Sequence, residues 1–158
     1  MTKRVDAASK LIRASSSTIY QAFAKQGAME RWLPPEGMTG RMLEFDFRDG
    51  GSYRMRLSYD DPGRGQGKTS EDADEVAVRF VRLVRDRCIE QSVTFTSDDP
   101  AFAGEMRVTW SFEPVEQGTL VSVRCENVPE GIAAEDHEAG LRSSLRNLAA
   151  FAEAGTVP

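Results

Sequence analysis

Through the middle of the chain, apolar and polar residues change places at every step. A period of two commits those segments to strands with one buried and one wet face. Phe45, Phe47, Tyr53, Met55, Leu57 and Tyr59 alternate with Asp46, Arg48, Arg54, Arg56 and Ser58. The turn Asp49-Gly50-Gly51 between them predicts a β-hairpin spanning Met42 to Tyr59. Four more strands follow as an antiparallel meander, over about 75–84, 87–97, 104–113 and 118–127. Their apolar phase is carried by Ile89, Val93 and Phe95, then Met106, Val108, Trp110 and Phe112, then Val121, Val123 and Cys125. Registers counted from the turns place Cys88 near Glu113 and Cys125 near Trp110. These positions are about two strand spacings apart, so both thiols are expected to be reduced.

The two ends read differently. Residues 5–14 have weak strand character and run into Ser15-Ser16-Ser17-Thr18, a supply of helix-capping oxygens. Beyond it, Ile19, Tyr20 and Phe23, then Met29 and Trp32, repeat at helical spacing. This predicts two short helices with Gly27 at the break and Pro34-Pro35 as the stop. Residues 134–153 hold the longest helical pattern, with Leu141, Leu145, Leu148 and Ala152 on one face. No internal repeat and no βαβ alternation runs through the chain, so nothing signals a parallel sheet. The reading is α+β, one domain over residues 1–158. Residues 60–74, with three Gly, one Pro and no large apolar side chain, are expected to be a mobile loop.

The net charge of −5 argues against a nucleic-acid or anionic membrane partner, both of which need basic surfaces. No apolar run approaches the ~18 residues of a membrane span, and the N-terminus lacks the apolar core of a secretion signal, so a cytoplasmic protein is expected. No cofactor or metal motif is read: Asp72, Asp74 and Glu75 lie in a stretch too irregular for a calcium loop, and Gly63, Gly65 and Gly67 precede no helix. His137 is the sole histidine, in Glu135-Asp136-His137-Glu138, where a solvated, dispensable residue in an acidic first turn is expected.

In order and spacing, several segments together resemble a known family. They are the Ile19 to Phe23 helix, Arg31-Trp32-Leu33-Pro34, the Asp46 to Tyr53 hairpin, Gly118-Thr119-Leu120 and the Leu141 to Phe151 helix. The chain resembles bacterial relatives of the activator of the ninety-kilodalton heat-shock chaperone's ATPase, within the START and birch-pollen-allergen (SRPBCC) superfamily. The resemblance implies a helix-grip fold, with a curved antiparallel sheet of about seven strands around a long C-terminal helix and two short helices after the first strand. One departure is that Gly140 is followed by Leu141 where the family pattern has Gly-Trp. A curved sheet covered by a single helix leaves a cleft, the usual form of a small-molecule site. The expected lining is Trp32, Tyr53, Met55, Tyr59, Phe80, Phe95, Met106, Trp110, Leu141 and Leu145, with Trp110 facing the cavity and Trp32 at its mouth. Arg54, Arg56 and Glu90 should point outward by alternation. The leading expectation is non-enzymatic binding or carriage of a small lipophilic molecule by a monomer or homodimer, with no catalytic residue assigned. Two alternatives stay open, a cyclase or hydrolase-like enzyme on a polyketide-type substrate and a regulator of a chaperone or other protein, in the manner of a stress response.

Overall fold

Ser15 caps the first helix: its side chain accepts from the Thr18 amide at 3.1 Å, with Ser15 itself extended at φ −70°, ψ 155°. The computed structural model describes residues 4–60, 73–97 and 99–154. Strand β1 (Val5–Ile12) leads into α1 (Ser16–Ala24) and α2 (Gln26–Trp32). The break between the helices is Lys25, extended at φ −118°, ψ 127°; Gly27, the expected breaker, lies within the first turn of α2. Trp32 Nε1 donates to the Ala22 carbonyl at 2.9 Å and ties the two short helices together.

Six strands then form the meander: β2 (Met38–Phe45), β3 (Ser52–Tyr59), β4 (Ala73–Val84), β5 (Cys88–Phe95), β6 (Met106–Val115) and β7 (Gly118–Glu126). With β1 they make one antiparallel sheet in the order β1-β7-β6-β5-β4-β3-β2. Irregular steps between Met42 and Glu44 and between Phe80 and Arg82 insert an extra residue and sharpen the bend, which helps the sheet curl. The hairpin turn locks onto the second of these. Gly50 N donates to Phe80 O and Phe80 N to Gly51 O, both at 2.8 Å. A Cβ on Gly51 would sit 2.3 Å from the Asp46 carbonyl, so only glycine fits.

The concave face carries the core. Helix α3 (Ala134–Ala154) lies over it, burying Leu145, Leu148 and Ala152 as the helical period predicts. Its buried serines were not foreseen. Ser144 Oγ donates to the Leu33 carbonyl at 2.7 Å, Ser143 Oγ accepts from the Glu36 amide at 2.8 Å, and Asn147 Nδ2 donates to the Pro34 carbonyl at 2.9 Å. These bonds satisfy the backbone of the proline-interrupted segment after α2, where no regular helix does so.

Three expectations need correction. Cys88 pairs with Ser111 and Cys125 with Val108, each two residues from the position counted: the β6–β7 turn is only Glu116-Gln117, with Gly118 already paired to Val115, and the β5–β6 ladder ends at Val93 with Met106 rather than running to the ends of the expected strands. Both cysteines are free. Asp74 and Glu75 belong to β4 and not to a loop. Of the expected mobile stretch 60–74, residues 61–72 lie outside the described residues. His137 is not solvated: its side chain is 15% exposed, and Nδ1 lies 2.7 Å from Asp6 Oδ2.

Candidate ligand site on the concave face

The inward row of each strand can be followed across the sheet by its register, and the concave face so defined has a sealed part and an open part. At the sealed end the α1–α2 corner fills the curve. The Phe23 ring lies 4.7 Å from Trp32, 5.0 Å from Trp110 and 5.5 Å from Phe112. Tyr53 and Phe47 pack on Phe80 at 5.6 and 5.0 Å. Trp32 is 1% exposed and is part of this packed core rather than a mouth. Trp110, Phe80, Met55, Tyr53, Met106 and Leu145 are buried as well. The remaining three expected residues, Tyr59, Phe95 and Leu141, are only partly covered.

Those three mark the open part. Tyr59 ends β3, Phe95 ends β5 and Leu141 stands in the second turn of α3; inward-facing Leu57 and Met38 are partly exposed with them. Register links Met38 to Tyr59 and Met42 to Met55, then Met55 to Val76 and Val76 to Phe95. Asp136, in the first turn of α3, is among the charges that raise the Tyr59 pKa.

Polar groups follow the same inward phase. Asp74, 3% exposed, is two residues before Val76 on the same face and accepts a hydrogen bond from the Tyr59 hydroxyl at 3.4 Å. Burial, reinforced by the Asp74 charge, pushes the Tyr59 pKa up to about 12, so the phenol holds its proton near neutrality. Deeper on β5, Gln91 is 3% exposed between Phe80 and Val108 and lies beside the Tyr53 hydroxyl. Burial raises the Tyr53 pKa strongly and the Gln91 side chain only partly offsets it. Gln91 Nε2 has no acceptor among the described residues. The signal for both Asp74 and Gln91 was present in the sequence: each is a polar residue at an inward position of an alternating strand.

At the β1 side, Asp6 takes hydrogen bonds from Arg4, at 3.0 Å, and from His137. A carboxylate can only accept, so Nδ1 of His137 carries the proton. The convex face is wet, as alternation predicts: Arg54 pairs with Glu44 and Glu75, each at 3.4 Å, and Arg56 reaches Glu75 at 4.0 Å. Among the described residues, no group of three or more His, Cys, Asp or Glu could hold a metal ion, and no helix is long and apolar enough to cross a membrane.

A family model described as activator of Hsp90 ATPase homolog 1-like protein matches residues 13–153. The chain belongs to that family. A crystal structure of a protein from Chromobacterium violaceum is 30% identical in sequence, with a TM-score of 0.82 over 94% of this chain and 96% of that one. A second, from Rhizobium loti, is 24% identical with a TM-score of 0.73 over 94% and 96%. A solution structure from Staphylococcus epidermidis shares the fold at 17% identity, TM-score 0.74, over 100% and 94%. No curated protein matches the chain in sequence. The helix-grip architecture of the family is therefore the architecture of this chain, with seven strands and three α-helices among the described residues.

Proposed function

We propose that this member of the family binds a small lipophilic molecule, without chemistry, between the open part of the concave face and the first half of α3. The observation that carries the reading is the incomplete burial of Leu57, Tyr59, Phe95 and Leu141, apolar side chains of the core side that the α1–α2 corner does not reach. Leaving such surface wet forgoes roughly 25 cal/mol for each Å², and a lipophile in the gap would recover it. Leu141 stands where the family pattern has Trp, and the smaller side chain leaves that room. In this reading Tyr59, Phe95, Met106 and Leu141 form the wall, Met55 and Leu145 the floor, and Trp32, Tyr53, Phe80 and Trp110 the rigid backing.

An environment-sensitive apolar dye should brighten with about one molecule bound per chain and be displaced by a fatty acid. Leu141→Trp, which refills the gap, should weaken dye binding at least tenfold without unfolding the protein. No saturable binding by dye or fatty acid would end this reading, as would unchanged affinity in Leu141→Trp.

One observation favours a second reading. Asp74 and Tyr59 put a carboxyl and a phenol side by side on the core side of the sheet, the pair a cyclase-like acid–base reaction would use. Turnover of a polyketide-type substrate that disappears in Asp74→Asn would replace carriage with catalysis.

A further inference from the structure

Gln91 is the one polar residue on the inward row of β5, whose other members are Ile89, Val93 and Phe95. It is 3% exposed, and its Nε2 finds no acceptor at hydrogen-bonding geometry among the described residues. A buried amide N–H without an acceptor costs on the order of 1–3 kcal/mol, and an apolar residue of the same size would carry no such penalty. The Tyr53 hydroxyl beside it can take one of the two amide hydrogens, and the other is either satisfied by something that enters the fold or a standing loss of stability.

The position fits an entering molecule. Phe95, at the open end, and Gln91 point to the same side of one strand four residues apart, about 13 Å at strand rise. Between them, Val93 pairs with Met106, and an unbranched thioether side chain can shift without large cost. An elongated lipophile passing Phe95 would reach the amide with its inner end. The chemistry of that end is set by what surrounds Gln91: Phe80 and Val108 across the strands, Ile89 and Val93 along its own, and the Tyr53 hydroxyl alongside. None of these carries positive charge. A carboxylate would arrive there desolvated and unpaired, at a cost several times the hydrogen bond it gained. An alkane end would leave the N–H unsatisfied.

We propose that Gln91 donates its Nε2 hydrogen to a neutral carbonyl oxygen at the buried end of the ligand, so that the molecule carried is a ketone, ester or amide with an apolar tail. This inference rests on the lipophile reading of the same face. The test compares methyl nonyl ketone with undecane, each displacing the apolar dye from the full chain. Wild type should prefer the ketone about tenfold. Gln91→Leu should bring the two within about threefold of each other while undecane affinity holds, and should melt no lower than wild type. A fold-independent check is the infrared carbonyl stretch of the ketone bound to wild type, which should lie below its frequency in liquid alkane. Equal binding of the two probes by wild type, an unshifted stretch, or a ketone preference that survives in Gln91→Leu overturns the carbonyl assignment alone. If neither probe displaces the dye, the lipophile reading falls with it.

Discussion

The indole of Trp110 meets Phe23 at 5.0 Å and Trp32 at 5.7 Å, both edge-on, with only 4% of the residue exposed. Such pairs add about 0.5–1.5 kcal/mol to the burial of the rings themselves. Trp110→Ala should therefore cost about 3–5 kcal/mol in urea unfolding, because the rings around it belong to helix and sheet alike and cannot all close on the gap. A loss under about 2 kcal/mol would mean that the ring faces yielding space. Alternation in the sequence identified Trp110 as inward, but it does not say what lies opposite an inward residue. That depended on α1, whose Phe23 is 87 positions away. Gln91 was legible by phase and was passed over because a polar letter among apolar ones reads as a break in the pattern until the strand is seen to continue through it, whereas Asp74 fell in the stretch read as a loop, just before the expected start of the strand.

Helix α3 is held at both ends by bonds to distant segments. Glu153 Oε2 accepts from the Arg13 amide at 3.0 Å, and His137 reaches Asp6 at the other end. The span of α3 was plain from its apolar stripe, whereas these ties were not, since the His137 and Asp6 positions are 131 residues apart. The acidic neighbours of His137 suggested solvent; a β1 carboxylate under the helix start decided otherwise. Burial alone would raise the Asp6 pKa, yet the hydrogen bonds from His137 and Arg4 and their charges outweigh it and hold the carboxyl below its ordinary 3.8. A carboxyl with a lowered folded pKa stabilises the fold above its unfolded value, and that contribution is lost as pH falls through the folded one. Melting temperatures of wild type and Asp6→Asn should thus differ at about pH 5 and converge as pH drops below 3.8. A gap that persists undiminished at about pH 2 would show that the carboxylate charge is not what secures the helix start.

Across the whole molecule the sheet was the most readable part, because every strand keeps one face against the core and a one-residue slip would turn that face to water. Register was less readable: a two-residue turn in place of a three-residue one moved Cys125 along its partner, and an earlier end to the β5–β6 ladder moved Cys88, neither changing face. Those faces are opposite. Cys88 lies on the convex side at the start of β5, partly exposed, while Cys125 lies on the concave side of β7, 1% exposed and register-paired with Asp6. Burial first, and the Asp6 charge second, push the Cys125 thiol up to about 12, so it reacts only when the sheet lets water in. The chain thereby carries two clocks of its own. With a thiol reagent, Cys88 should label by local exposure, and Cys125 at a rate that reports the equilibrium opening of the strands around it. A molecule held against the concave face would slow the second clock and leave the first running at its former pace.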